Sequence, residues 1–215
     1  RVYVSERQTY LALPLLAGLG DAGLREELFL RLVADLETRR HVDTGIHGTW
    51  MLTRLLLERG RADLCALVAS RRDFPSWGDM LAQGATTIWE QWDGENSRMH
   101  SSFLSIGAFF VEGLAGIRAD PEAPGYAHVV LAPCFAPGLS ELECELDTPR
   151  GTVRSAWRRA QDAVLYSCTI PPLARATLTL PGSARVAAET HVLTLGPGSH
   201  EIRIHLDAPE RHGPR

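Results

Sequence analysis

Apolar residues recur at three- and four-residue steps through the first half of the chain and alternate through much of the second. The first pattern is that of helices with one buried face, the second that of half-buried strands. Leu11, Leu13, Leu15, Leu16 and Leu19 predict a helix that Ser5 would cap and Gly18 and Gly20 would end, with Pro14 marking a kink or a late start. Leu24, Leu28, Leu32, Val33 and Leu36 predict a second helix behind Asp21 as N-cap, and Arg39-Arg40 in its last turn suit the helix dipole. After a loop, HVDTGIHGT, further helices are expected over Trp50–Arg59 and Ala62–Ser70, and a short one up to Gln83. His100–Leu114 reads as a helix so rich in apolar residues (Phe103, Leu104, Ile106, Phe109, Phe110) that burial on most sides is expected.

Near Asp120 the period changes. The turn-rich PEAPG precedes HVVL, ELECELD, GTVRSAWRR, AVLYSCTI and ATLTL. Leu142, Cys144 and Leu146 share one face, as do Val153, Ser155 and Trp157, and Val164, Tyr166, Cys168 and Ile170. HVLTL and HEIRIHL flank Gly196-Pro197-Gly198-Ser199, which predicts a hairpin. Short strands at this spacing argue an antiparallel sandwich, ending in a polar tail, APERHGPR. The fold class is therefore multidomain α and β, with domains at 1–119 and 120–215. Helix pairs joined by long loops fit an α/α toroid, and periodicity alone does not separate that from a plain bundle.

Between two helical patterns lies GATTIWEQWDG, Gly84 to Gly94, a poor helix and a poor strand that ends in a turn at Asp93-Gly94. Tryptophans beside a carboxylate on a loop suit a sugar pocket: indole covers the C–H face of a pyranose, and a carboxylate bonds hydroxyls or moves protons. On residue types alone, core plugs and a solvated loop acid are the stronger reading.

Composition adds mainly exclusions. The formal charge of −4, with no basic stripe interleaved with aromatics, gives no reason to expect a nucleic-acid partner. The longest apolar stretch, Phe103–Ile117, carries Glu112 and is too short to span a bilayer, so no membrane partner is expected. Cys65, Cys134, Cys144 and Cys168 show no zinc spacing, although Cys144 and Cys168 are candidates to lie near each other on strands. His41, Asp43 and His47 are metal-ligand types, but Gly45 breaks the helical spacing, so no metal is expected. No cofactor motif is present. The chain opens at Arg1 directly into a helical pattern, from which a fragment of a longer protein is expected and the compartment is left open.

Taken together, HVDTGIHGT, DFPSWGDMLAQGATTIWEQWDG, the segment ending in GLAGI, PGYAHVVLAP and GTVRSAWRR resemble the bacterial α-L-rhamnosidases of the six-hairpin glycosidases, glycoside hydrolase family 78. The resemblance runs from about Ser5 to His205. It implies the C-terminal half of an (α/α)6 catalytic toroid followed by an antiparallel β-sandwich, and an inverting hydrolase that releases terminal α-L-rhamnose from rhamnose-containing glycosides with two carboxylic acids and no cofactor. Glu90, in TIWE, corresponds to the family's general base. His100, in SRMHSSF, corresponds to a histidine of the rhamnose pocket, although the loop from Gly94 to His100 is shorter than in many relatives. Trp89, Trp92, Asp93 and Trp77 are the remaining candidate sugar contacts: one of Trp89 and Trp92 is expected to face the pocket while the other packs beneath it, a turn-forming role is the stronger reading of Asp93, and Trp77 serves equally as a core anchor. The family's general acid belongs to a stretch with no counterpart here, so the 215-residue chain alone is expected to be inactive and to need the missing N-terminal half of the catalytic domain. Two alternatives stand beside this reading: a six-hairpin glycosidase for another sugar, and a non-catalytic carbohydrate-binding remnant.

Overall fold

The structure, a computed structural model, describes residues 7–182, 184–186 and 190–206. Ser5 and the APERHGPR tail lie outside the described residues. The chain divides into two compact units, Arg1–Phe109 and Phe110–Arg215.

The first unit is helical. Helix α1 (Gln8–Leu16) contains Pro14, and α2 (Ala22–Arg39) begins where Asp21 Oδ1 accepts the Leu24 N–H at 2.8 Å. Helix α3 spans Ile46–Glu58, starting earlier than the expected Trp50: Gly45 is its N-cap, so IHGT forms the first turn instead of a loop. The reason is a polar staple, because the Thr49 hydroxyl bonds Thr44 Oγ1 at 2.8 Å and Gly45 O at 2.9 Å and so closes that turn. Gly48 on α3 faces α1 so closely that a Cβ there would lie 2.0 Å from Thr9 Oγ1. Helices α4 (Ala62–Ala69) and α5 (Trp77–Ala82) follow, the latter capped by Ser76 Oγ.

The long helix expected over His100–Leu114 is not formed. Instead, α6 (Ser105–Ala108) runs into a π-helical segment, Phe109–Leu114. Nor is this stretch buried on most sides, since Leu104 is 56% exposed while Phe103 and Phe109 are enclosed. Among the described residues, no helix is long and apolar enough to cross a membrane.

Buried Gln8 ties loop ends together in this unit. Its Nε2 donates to Asp35 Oδ2 and to His41 O, and its Oε1 accepts the Asp43 N–H. His41 bridges onward, with Nδ1 3.3 Å from Pro75 O and Nε2 3.0 Å from Asp73 Oδ2. His41 and Asp43 thus fix loops.

The second unit is built from two sheets. One is ordered β1 (Ile117–Ala119), β2 (His128–Leu131), β6 (Arg175–Thr179), β8 (Val192–Leu195); the other is β3 (Glu141–Thr148), β4 (Gly151–Arg159), β5 (Ala163–Ile170), β9 (Gly198–Leu206), β7 (Ala184–Arg185). Period-2 burial places Val153, Trp157, Val164, Tyr166 and Ile204 of the second sheet with Val129, Leu131 and Leu178 of the first in one core. The alternation expected of β3, β4 and β5 holds.

Four expectations need correction in this unit. The sheets are not wholly antiparallel, because β2 and β6 pair parallel. Gly196-Pro197-Gly198-Ser199 is not a hairpin: β8 pairs with β6 and β9 with β5, so the segment carries the chain from one sheet to the other. Cys144 and Cys168 are not neighbours, since each is registered on opposite sides of Ser155, two strand spacings apart and too far for a disulfide. The change of period near Asp120 also falls after β1, which already belongs to the sheets.

Candidate active-site loop

The segment from Thr87 to His100 folds back on itself. The Glu90 N–H donates to Ser97 O and the His100 N–H to Ile88 O, each at 2.8 Å, and the Thr87 hydroxyl donates to Arg98 O. Two residues ten apart in sequence, Glu90 and His100, thereby come onto one closed loop. The turn at its tip follows from Asp93-Gly94: Asp93 Oδ1 accepts the Glu95 N–H at 3.0 Å, and Gly94 adopts a φ of +76°. Asp93 is exposed and occupied with this turn. Gly94 also lies against Trp89, where a Cβ would come within 2.8 Å of Cζ3.

Glu90 is half-buried, and its Oε2 accepts the Ser97 N–H at 3.2 Å. Among the described residues Oε1 has no hydrogen-bond partner. One carboxylate oxygen is therefore oriented by the backbone and the other is left to accept a proton or a hydroxyl. The exposed His100 ring has Nδ1 at 2.5 Å from Oγ of buried Ser102, and its Nε2 has no partner among the described residues. A ring pinned at one nitrogen presents the other to a ligand.

All three candidate tryptophans are core residues, including the one of Trp89 and Trp92 expected to face the pocket, and for Trp77 the core alternative holds. Trp89 is 2%, Trp92 8% and Trp77 9% exposed. Trp92 stacks on Phe103 with centroids 3.8 Å apart, meets Trp77 edge-on at 5.0 Å, and donates its indole N–H to Thr44 O at 2.7 Å. Trp77 donates to Phe103 O at 3.2 Å. The physical reason is size with a polar handle: each indole fills space beneath the loop, and for these two a backbone carbonyl satisfies the N–H. The TGIHGT segment thus supports the Glu90 loop from below through Thr44, while His47 itself is exposed on α3. Among the described residues, no group of three or more His, Cys, Asp or Glu is placed to hold a metal.

Sequence reasoning missed Ser97, Ser102 and Arg98. Arg98 sits over the Trp89 ring, 5.1 Å from its centroid, with Nε 3.4 Å from Gly94 O. The Ser97 N–H that holds Glu90 is a backbone group and leaves no mark in residue type, while the Ser97 hydroxyl donates to Met99 O at 2.9 Å and accepts the Met99 N–H at 3.3 Å. SRMHSSF did hold the Ser102 pairing, two residues beyond His100.

A separate trough of about 720 Å³ opens on the sheet of β3, β4, β5 and β9, lined by Glu143, Arg154, Ala156, Ser167 and Glu201 among others. It includes no residue of the Glu90 loop.

Comparison with known proteins bears on this loop. A family model described as the bacterial alpha-L-rhamnosidase six-hairpin glycosidase domain matches residues 1–114, and one described as the bacterial alpha-L-rhamnosidase C-terminal domain matches residues 116–192. The alpha-L-rhamnosidase of Alteromonas sp. (strain LOR) is 28% identical over 97% of this chain and 24% of its own length. That of Streptomyces avermitilis is 27% identical over 93% of this chain and 22% of its length. The crystal structure of the Streptomyces avermitilis enzyme complexed with L-rhamnose matches 94% of this chain and 22% of that one, with a TM-score of 0.81 and 28% identity. The Aspergillus terreus alpha-L-rhamnosidase structure matches 93% of this chain and 24% of that one, with a TM-score of 0.80 and 27% identity. The chain thus spans about a quarter of the length of these relatives.

Proposed function

Because this chain belongs to the bacterial alpha-L-rhamnosidase six-hairpin glycosidase family, we propose that it is part of a glycoside hydrolase that releases terminal α-L-rhamnose with inversion, Glu90 acting as general base. The observation that carries the reading is the Glu90 carboxylate, half-buried on a closed loop, with Oε2 held by the Ser97 N–H and Oε1 free. In an inverting reaction, a carboxylate takes a proton from water as that water attacks the anomeric carbon, while a carboxylic acid on the other side protonates the departing oxygen. The two carboxyls stand about 6.5–9.5 Å apart to admit the water. Glu90 Oε1 takes the water proton. His100 Nε2 bonds a sugar hydroxyl. The acid is assigned to the part of the longer protein outside this chain, and α1 to α6 are read as hairpins from the second half of the toroid.

A purely sugar-binding role would draw on exposed indoles, and Trp77, Trp89 and Trp92 are all buried. Proton NMR of the full-length protein acting on an aryl α-L-rhamnoside tests the reading. β-L-Rhamnose is expected as the first product; α-L-rhamnose first, or no rhamnose at all, contradicts it.

A further inference from the structure

We propose that Ser102 is a positioning residue for the sugar contact: its hydroxyl donates to His100 Nδ1 and so fixes the imidazole in the form that carries its proton on Nε2, the nitrogen read as meeting the sugar. The inference rests on the reading of His100 as the histidine that bonds a sugar hydroxyl.

Ser102 Oγ lies 2.5 Å from His100 Nδ1, and both ends of that bond are anchored. The His100 N–H donates to Ile88 O at 2.8 Å, which ties the histidine backbone to the start of the loop. Ser102 is followed by Phe103, which is fully buried, stacks on Trp92 at 3.8 Å and accepts the Trp77 indole N–H at its carbonyl. A residue between these two fixed points has little freedom to move its hydroxyl. The tryptophan cluster beneath the loop therefore sets where the His100 ring stands, with Ser102 as the link.

Which atom gives the proton follows from burial. Ser102 is 6% exposed, and among the described residues His100 Nδ1 is the one hydrogen-bond partner of its Oγ. A hydroxyl has one proton to donate, and a neutral imidazole has one donor and one acceptor nitrogen. Were Nδ1–H the donor, the Ser102 proton would be buried without an acceptor, and an unmet buried donor is costly. With Ser102 as donor, its proton and the Nδ1 lone pair are both used. Nε2 then bears the ring proton, and His100 meets a sugar hydroxyl as a donor to its oxygen. A ring without this bond would divide between two tautomers and several rotations, and part of that population would present no donor to the sugar.

The test is a double-mutant cycle in the full-length protein, read on an aryl α-L-rhamnoside. Ser102→Ala is expected to lower kcat/KM about tenfold, the scale of a neutral hydrogen bond, and mainly through KM. In a His100→Ala background the same change should alter kcat/KM by less than about twofold, because Ser102 acts through the ring. Equal losses in the two backgrounds overturn the proposal, since Ser102 would then serve the fold, and so does a Ser102→Ala variant with wild-type kinetics. Both outcomes leave the rhamnosidase reading intact. Nitrogen NMR of protein labelled in its histidine rings, with His100 assigned by its loss in His100→Ala, reads the tautomer directly at about pH 8, where a histidine of ordinary pKa is neutral. The proton is expected on Nε2, and a proton on Nδ1 overturns the proposal. A His100→Ala variant with unchanged kcat/KM overturns the reading of His100 as a sugar contact and this proposal with it.

Discussion

Glu90 does its proposed work through neighbours that a residue list does not reveal. The Ser97 N–H fixes one carboxylate oxygen, and the loop can close in this way only because Gly94 presents no side chain to Trp89. Gly94→Ala meets two penalties, a left-handed φ of +76° and a Cβ at 2.8 Å from Trp89 Cζ3. Urea unfolding is expected to show a loss of about 2 kcal/mol for this variant, the range of overpacking plus an unfavourable φ. A change below about 0.5 kcal/mol, the scale of an ordinary surface substitution, would show that the close approach is not real. At this scale the Asp93-Gly94 turn was legible through turn chemistry, while Glu90 and His100 were singled out by a resemblance of motifs and their roles belong to the proposal. Sequence reasoning misplaced the one of Trp89 and Trp92 expected to face the pocket, because an indole has the same letter whether it faces a sugar or plugs a core. The Thr44 carbonyl and Phe103 ring that hold Trp92 are tertiary partners.

At the scale of elements, the loop Asp73–Ser76 is pinned to the loop before α3. Asp73 Oδ2 accepts from Arg71 Nη2 at 2.7 Å and lies 3.0 Å from His41 Nε2. Arg71 first and His41 second hold the Asp73 carboxyl down at about 2, below its ordinary 3.8. A depressed carboxylate stabilises the fold above its unfolded value, and that contribution is lost as pH falls toward the folded value. The stability difference between wild type and Asp73→Asn is therefore expected to be full above about pH 4 and to fade between 4 and 2. A difference that is flat across that window in urea melts would remove Asp73 from the pin. Elements were the most legible level where local signals agreed, as in α2, with its Asp21 cap and evenly spaced leucines. They failed where partners decide. Gly196-Pro197-Gly198-Ser199 has the composition of a hairpin, yet β8 and β9 find their partners in different sheets. The His100–Leu114 run has helical apolarity, but its backbone is spent first on the Ile88 pairing and then on a π-helical segment.

At the scale of the whole molecule, the two units answer to different family models, the six-hairpin domain over 1–114 and the C-terminal domain over 116–192. The sandwich carries a core of its own around Trp157, Tyr166 and Val164. The change of hydrophobic period made that division readable from sequence, since helices and strands bury residues at different intervals. The helical unit supplies Glu90, the proposed base, and His100, the histidine proposed to bond a sugar hydroxyl. The chain spans about a quarter of the length of the relatives it matches.

The central claim is that Glu90 activates water. Turnover of an aryl α-L-rhamnoside by the full-length protein carrying Glu90→Gln measures it most directly. Glutamine keeps the shape and the acceptor for the Ser97 N–H but takes no proton, so kcat is expected to fall by about a thousandfold or more with KM changed little. A variant that retains turnover within about tenfold of wild type would contradict the account, because that is less than general-base catalysis contributes.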